Sequence, residues 1–294
     1  MAKAGVREYK RRIRSVKNTQ QITKAMKMVA AAKLRRAQEK AEASRPYTET
    51  LRDTLARLVA VTADINHPLL TKREEVKKVG YVVVAADRGL CGAYNTNIIK
   101  AANAAMAEDE RDVEAKIIAV GRKVRDFYRK RGGLIAEYVN LGDNINYADA
   151  REIAQYVMKA YEDGELDEVY VVYGHFVNAL RQVPTVEKIL PIEPPAAEGE
   201  TEEAFVDYIY EPDAVSIIYN ILPRYVGTQI YHAMLESKAS EHGARMTAMS
   251  NATDNAAEII ENLTLEMNKA RQAAITKEIL DIVGGAEALK KGGK

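Results

Sequence analysis

The chain has 294 residues, is 47% hydrophobic and 29% charged, and contains one cysteine and no tryptophan. This length predicts about two domains, and a single cysteine excludes an internal disulfide framework. The amino terminus lacks the apolar core of a secretory signal, and no run of about 18 apolar residues predicts a membrane-spanning helix. The net charge of +1 is uneven, because residues 1–46 hold 14 Lys/Arg and 3 Asp/Glu. Residues 207–288 hold 6 and 12.

The first element is a stretch of 40 residues, Val6–Arg45, without glycine or proline. As a helix it would be about 60 Å long, which is too long to be buried within one compact domain. Its apolar residues recur in steps of three and four at Ile13, Val16, Ile22, Met26, Val29, Ala30, Leu34, Ala37 and Ala41. The period resumes after Pro46, so we predict one coiled-coil-type helix over residues 1–63, bent or broken near Arg45–Pro46.

The middle of the chain, residues 76–192, has a different period. Short apolar runs predict strands, and longer amphipathic runs between them predict helices. The predicted strands cover residues 79–86, 115–121, 134–139, 168–176 and 183–192, and the helices cover 97–108, 122–131 and 147–162. This alternation is typical of βαβ units, so we predict a Rossmann-like α/β domain with a mainly parallel sheet.

A linker at residues 193–212 precedes a second long helix, predicted over residues 213–288. The linker begins with an acidic segment that holds two prolines, and Asp213 is suited to cap the helix that follows. Pro223 and Gly227 should weaken or bend that helix near its start. The start of the helix is followed by Ala244–Val283, a stretch of 40 residues without glycine or proline.

Within this last stretch the apolar residues form a heptad seam, at Ile260, Leu263, Met267, Ala270 and Ala274. Beyond Ala274 the helix is apolar on more than one side, as a helix enclosed by a partner would be. The two long helices must therefore bury their apolar stripes against each other or against another protein.

One glycine-rich loop, Asp87–Asn95, lies between a predicted strand and a predicted helix, where phosphate-binding loops occur. It offers only Gly89 and Gly92 and lacks the dinucleotide and P-loop patterns, so we favour a tight structural turn. Cys91 has no evident catalytic partner, because the four histidines are scattered along the chain. We expect no catalytic residue, no metal site and no cofactor.

The basic first helix could attract nucleic acid. Only Tyr9 and Tyr47 are aromatic in the first 50 residues, and the positive charges surround the helix instead of forming one stripe. We therefore expect no nucleic-acid partner, although a basic coiled-coil adaptor remains one alternative. The other alternative is an α/β nucleotide-using enzyme with a helical oligomerisation arm.

Several segments resemble the gamma subunit of the bacterial rotary ATP synthase, over essentially the whole chain. They are Asn18–Ala31, Ser44–Tyr47, Asp87–Gly92, Glu241–Met246, Ala252–Ala256 and Asn268–Thr276. The resemblance implies that the two terminal helices wind as an antiparallel coiled coil beside the α/β domain. It also implies a non-catalytic rotor shaft that couples proton-driven rotation to ATP synthesis or hydrolysis.

The implied partners are three alpha and three beta subunits, the epsilon subunit and the membrane c-ring. The implied location is the cytoplasmic face of the cell membrane, as a peripheral part of the complex without direct membrane insertion. Residues that match family positions for coupling contacts to beta, or that lie at the apolar end of the last helix, are Met26, Arg245, Arg271, Gln272, Thr276 and Ile279.

Overall fold

The structure, a computed structural model, describes residues 2–61, 67–193 and 213–291. Its elements in chain order are α1 (Ala2–Val61), β1 (Lys78–Val84), α2 (Tyr94–Glu108), β2 (Glu114–Val120), α3 (Arg122–Tyr128), β3 (Leu134–Tyr138), α4 (Tyr147–Glu162), β4 (Glu168–Phe176), β5 (Gln182–Leu190) and α5 (Ala214–Lys291). The chain forms two compact units, one of residues 30–247 and the other of Met1–Val29 with Ala248–Lys294.

The larger unit contains a five-stranded sheet with the order β3-β2-β1-β4-β5. Every neighbouring pair is parallel except β4 and β5, which form an antiparallel hairpin at one edge. The prediction of a mainly parallel α/β sheet is therefore confirmed. Helix α4 and strand β4 have the predicted bounds, and the other elements differ from the predicted ranges by three residues or fewer at each end.

Both faces of this sheet are covered, which is why β1 is buried along almost its whole length. One face packs against α2 and α3, through residues such as Tyr81, Val83 and Ile99. The other face packs against α4 and against parts of both long helices, including Leu55 of α1 and Ile230 of α5. The long helices are therefore part of the core of the α/β unit.

Helix α1 continues through Pro46, so the predicted break does not occur. An interior proline costs a helix about 3 kcal/mol or more. Leu51, Leu55 and Leu58, which follow the proline, are buried in the structure. Each contributes about 1.5–3 kcal/mol by burial, which together exceeds that cost. The predicted end of the helix at residue 63 lies outside the described residues, as does most of the predicted linker, 194–212.

Helix α5 likewise continues through Pro223 and Gly227. Asp213 caps it as predicted, since its carboxylate accepts hydrogen bonds from the Ser216 backbone N–H at 2.8 Å and from the Ser216 hydroxyl at 2.7 Å. Gly227 has a packing role, because a Cβ atom at this position would lie 2.7 Å from the Tyr147 hydroxyl oxygen of α4. The glycine allows α4 to approach α5 closely.

In the smaller unit the first part of α1 pairs with the last part of α5. Gln20 and Thr23 contact Thr253, whereas Lys27, further along α1, contacts Ser250, which is earlier in α5. Residue numbers rise on one helix as they fall on the other, so the pair is antiparallel. The implied antiparallel coiled coil is confirmed.

The predicted seam of α5 is confirmed, because its five residues all belong to a half-buried stripe. The predicted stripe of α1 is wrong at two places. Ile22 is 60% exposed and Val29 is 53% exposed, whereas Thr23 is only 8% exposed. A polar residue occupies the inward position, because the helix phase is fixed by the residues on both sides of Thr23 and not by Ile22.

Candidate partner-contact site

Helix α5 extends beyond the paired part of the two-helix unit. The register of the contacts places Ala2, the first described residue of α1, opposite the turn of α5 that holds Ala274. Up to Ala274 the α5 stripe is half-buried, and from Ile275 to Gly284 every side chain is exposed. Five large apolar side chains in this segment are exposed by half or more: Ile275, Ile279, Leu280, Ile282 and Val283.

We call residues 275–284 the α5 end. Single exposed apolar residues are ordinary on protein surfaces, but a contiguous apolar segment marks an interaction site. The prediction that α5 is apolar on more than one side beyond Ala274 is confirmed for this segment, whose large apolar side chains are exposed among the described residues.

Three of the predicted partner-contact residues share one face of α5. Gln272, Thr276 and Ile279 follow one another in steps of four and three, which places them one above the other on a helix. All three side chains are exposed, as is that of Arg271. These four residues therefore form a cluster that begins just before the α5 end and continues into it.

Met26 does not belong to this cluster. It lies on the half-buried stripe of α1, one turn from Thr23, at the level of α5 where Ser250 lies. The rise of an α-helix puts that level on the order of 35 Å from Gln272 and Thr276. Any contact that Met26 makes with a partner is thus separate from the contacts of the cluster.

Arg245, the remaining predicted residue, lies in the larger unit and is held within the chain. Its guanidinium lies 2.8 Å from a Glu241 carboxylate oxygen and 3.2 Å from the His242 ring, and it donates to the Gly89 carbonyl oxygen at 3.2 Å. Only 12% of its side chain is exposed. Arg245 therefore anchors the glycine-rich loop to α5.

The glycine-rich loop is a structural turn. Gly92 has a φ of 59°, and the Asn95 side-chain oxygen accepts a hydrogen bond from the Ala86 backbone N–H at 2.9 Å. Burial raises the pKa of the Cys91 thiol, although the charge of Arg245 acts in the opposite direction. A buried thiol with a raised pKa is a poor nucleophile, and Cys91 packs in the core on the sheet face that α2 and α3 cover.

Charged and polar residues buried around Arg245 were not predicted from the sequence as a group. Glu236, Glu241 and His242 are each less than 10% exposed. Lys238 and Arg245 form ion pairs with Glu241 at 3.1 and 2.8 Å. The signal that indicates this group is the spacing of opposite charges by three and four residues on one helix.

His242 joins this group to the loop before α4. Its ring lies 3.4 Å from Asp143, whose carboxylate also forms an ion pair with Lys33 of α1 at 2.7 Å. Burial lowers the pKa of His242, with Glu241 and Asp143 acting in the opposite direction. Burial opposes ionisation of Asp143, but the hydrogen bond and charge of Lys33 hold its pKa below the usual range. These contacts connect both long helices to the α/β domain.

A long antiparallel helix pair with an exposed apolar end, together with an α/β domain, is typical of a class of helical proteins that bind partners. A family model described as ATP synthase matches residues 5–289. The ATP synthase gamma chain of Desulfitobacterium hafniense is 57% identical over 289 residues, covering 98% of this chain and all of the relative. That of Heliobacterium modesticaldum is 55% identical over 293 residues, covering 97% and 99%.

Solved structures agree in fold. The rotor of the Euglena gracilis mitochondrial ATP synthase matches with a TM-score of 0.66 at 23% identity, covering 92% of this chain and 98% of that one. The central stalk of the Tetrahymena thermophila mitochondrial enzyme matches with a TM-score of 0.58 at 24% identity, covering 79% and 99%. The chain belongs to the ATP synthase family, and within it to the gamma chains. The resemblance found in the sequence is confirmed.

Proposed function

We propose that this chain is the central rotor shaft of an ATP synthase, which couples proton-driven rotation of a membrane c-ring to conformational change at catalytic beta subunits. Its family membership and the rotor fold of its solved relatives support this function. The observation that carries the proposal is the α5 end, an exposed apolar helix segment that nothing in the described part of the chain covers.

The proposed mechanism rests on differential contact energy. A shaft with different faces meets three chemically identical beta subunits in three different orientations, and each orientation favours a different conformation of the subunit that it touches. Rotation then moves each catalytic site through the same states in sequence. Only contacts that differ between these conformations can transmit energy.

The cluster of Arg271, Gln272, Thr276 and Ile279 supplies such contacts in this proposal. Ile279 fills an apolar pocket on the partner, while Gln272 and Thr276 form hydrogen bonds with a partner loop. Met26 and Arg245 act at other positions along the long helices. Met26 meets beta beside the helix pair, and Arg245 contributes through the part of its side chain that remains exposed.

In this function the chain contributes no catalytic residue, and chemistry takes place on the beta subunits. The same proposal places the chain at the cytoplasmic face of the cell membrane, as a peripheral part of the complex that contacts the epsilon subunit and the c-ring. Within the ranges that the structure describes, no helix is long and apolar enough to cross a bilayer.

The proposal is tested with the assembled complex in inverted membrane vesicles, by measuring ATP hydrolysis and ATP-driven proton pumping together. The triple variant Gln272→Ala, Thr276→Ala, Ile279→Ala should assemble normally but pump fewer protons per ATP hydrolysed, because contacts with beta are weakened. Leu265→Ala is the matched control, since Leu265 is also exposed on α5, by 54%, but precedes the α5 end. An unchanged pumping ratio in the triple variant would contradict the proposed coupling role.

Met26→Lys separately tests the level of the helix pair. It should leave the subunit composition of the complex unchanged and lower the pumping ratio, because it introduces a charge where the shaft faces beta. A variant with normal pumping would remove Met26 from the coupling contacts and leave it a packing residue of the helix pair.

A further inference from the structure

A cavity of about 690 Å³ lies between α1, α4 and α5 in the larger unit. This volume falls within the range of small-molecule sites. The cavity is formed by Ser44–Thr48 of α1, by the first three turns of α4 and by Tyr219–Tyr231 of α5. It is far from the α5 end in sequence and belongs to a different unit.

The cavity carries positive charge without compensation. Arg151 of α4 and Arg224 of α5 line it, and no aspartate or glutamate does so among the described residues. Neither arginine forms an ion pair with a carboxylate in the described part of the chain. Guanidinium groups bind carboxylate and phosphate oxygens through paired hydrogen bonds, so the cavity is suited to an anion.

A buried hydroxyl group in the cavity wall has an unused capacity for hydrogen bonding. Thr228 is only 3% exposed, and its Oγ1 is the one buried side-chain polar atom of the described residues without a hydrogen-bond partner of normal geometry. The Tyr147 hydroxyl is its polar neighbour, and the interaction between the two lowers the pKa of Tyr147 against the larger, opposite effect of burial. An anion in the cavity would offer the Thr228 hydroxyl an acceptor at normal hydrogen-bond geometry.

Aromatic side chains form part of the remaining wall. Tyr147 and Tyr231 pack edge to face with ring centroids 5.9 Å apart, and Tyr47 is 55% exposed. Tyrosine rings offer apolar surface to a flat group and a hydroxyl to a polar one. We propose that this cavity, bounded by Tyr47, Tyr147, Tyr231 and the two arginines, binds an organic anion that carries a phosphate or carboxylate group on a flat aromatic body.

This inference goes beyond the proposed rotor function and does not depend on it. The ligand's acidic group lies between Arg151 and Arg224, and its ring packs on the tyrosines, with the Thr228 hydroxyl as an additional donor. The cavity is lined by both long helices and α4, so an occupied cavity adds contacts among three elements that also pack together in the core.

The test is isothermal titration calorimetry on the purified full-length chain. Phenyl phosphate should bind at one site with a dissociation constant of about 1 mM or lower. Inorganic phosphate should bind at least about fivefold more weakly, because it lacks a body to pack on the rings. Dihexanoyl phosphatidic acid, a soluble lipid with the same headgroup charge and no ring, should also bind at least about fivefold more weakly.

The variants Arg151→Gln and Arg224→Gln should each weaken phenyl phosphate binding by about tenfold or more. Thr228→Val, which preserves the side-chain shape, should weaken it roughly two- to tenfold. Lys159→Gln is the control, since it removes an exposed positive charge from the same helix α4 outside the cavity. The affinity of Lys159→Gln for phenyl phosphate should equal that of the unmodified chain. Circular dichroism verifies that each variant is folded.

Three results would overturn the proposal. One is the absence of saturable binding of phenyl phosphate up to about 10 mM. Another is equal affinity for inorganic phosphate or for the lipid, which would show that the tyrosines bind no ring. The third is an equal loss of affinity in Lys159→Gln and the two arginine variants, which would indicate a general effect of positive charge and no specific site.

Discussion

The hydroxyl oxygens of Thr23 and Thr253 lie 2.8 Å apart, across the seam between α1 and α5. Thr253 also bonds to the Met249 carbonyl oxygen at 2.7 Å, and Thr23 to that of Gln20 at 3.0 Å. A polar pair across the seam favours one register of the two helices, because a slip removes the contact between the two hydroxyls and leaves each with only the bond inside its own helix. This pair therefore contributes to the register in which α1 and α5 pack.

The variant Thr23→Val tests this pair. We expect it to lower the free energy of unfolding by about 1 kcal/mol, because the Thr253 hydroxyl loses a partner across the seam. The double variant Thr23→Val, Thr253→Val should recover most of that loss, since two apolar groups then face each other. Urea unfolding of the unmodified chain, Thr23→Val, Thr253→Val and the double variant gives the coupling energy, expected to be about 0.5 kcal/mol or more. Additive effects would show that the two hydroxyls do not interact.

Gly227→Ala should destabilise the chain by about 1–3 kcal/mol. The added Cβ atom would lie 2.7 Å from the Tyr147 hydroxyl oxygen, so α4 and α5 must separate or Tyr147 must move. Tyr147→Phe in the same chain should restore part of the stability by removing that oxygen.

Gly5→Ala is the matched control for that substitution. Gly5 also lies within a helix, but nothing lies within 4 Å of its added Cβ atom. This change should stabilise the chain by about 0.5–1 kcal/mol, because alanine favours the helix. Thermal unfolding distinguishes the two substitutions, and a loss of stability in both would contradict the packing explanation for Gly227.

Arg245→Gln should loosen the Gly89–Gly92 loop and lower the free energy of unfolding by about 2–4 kcal/mol, since it leaves the buried Glu241 with one cation fewer. Cys91 reports on the loop, because its thiol is buried in the folded chain. The rate of its reaction with a thiol reagent should increase by about tenfold or more, in line with a local loss of at least 1.4 kcal/mol. Arg271→Gln, at an exposed position, should change neither quantity measurably.

Stability should decrease as the pH falls below about 6.5, the ordinary value for histidine. The pKa of His242 is lowered in the folded chain, so the unfolded chain binds the proton more readily, and protonation favours unfolding. The charged groups facing the ring are Glu241, Asp143, Arg245 and Lys238. Asp143 adds to the loss at lower pH, because its own pKa is also lowered in the folded chain.

The measurement is urea unfolding of the chain and of His242→Gln between pH 7.5 and 5.5. The variant should lose part of the slope between about pH 6.5 and 5.5, with a limit of about 1.4 kcal/mol per pH unit for one group. Identical slopes for the two chains would show that another group is responsible.

Much of the architecture could be predicted from local pattern. The strands of the α/β domain are short apolar runs between turn residues, and α4 is amphipathic with clear ends. Both patterns can be recognised from the sequence of the segment itself. The seam from Ile260 to Ala274 could be predicted equally well from the sequence, because a heptad repeat directly shows which face is buried. The apolar α5 end followed from the loss of that repeat after Ala274.

The same local rules failed where packing opposes them. Pro46 predicts a bend or a break in α1, but the helix is continuous and the leucines that follow the proline are buried. Gly227, which is expected to weaken or bend α5, also allows the close approach of Tyr147. Ile22 and Val29 read as seam residues, but the phase of α1 against α5 turns them outward and brings Thr23 inward.

The sequence by itself determined two long helices, a mainly parallel α/β domain and membership of a family, because periodicity and motif identity are properties of short segments. Only the tertiary structure decided that Arg245 faces the Gly89 loop, that Gln272 and Thr276 lie far from Met26, and that two arginines line one cavity together with Thr228. These relationships join residues far apart in the chain. Their distances depend on helix phase and packing, which no single segment specifies.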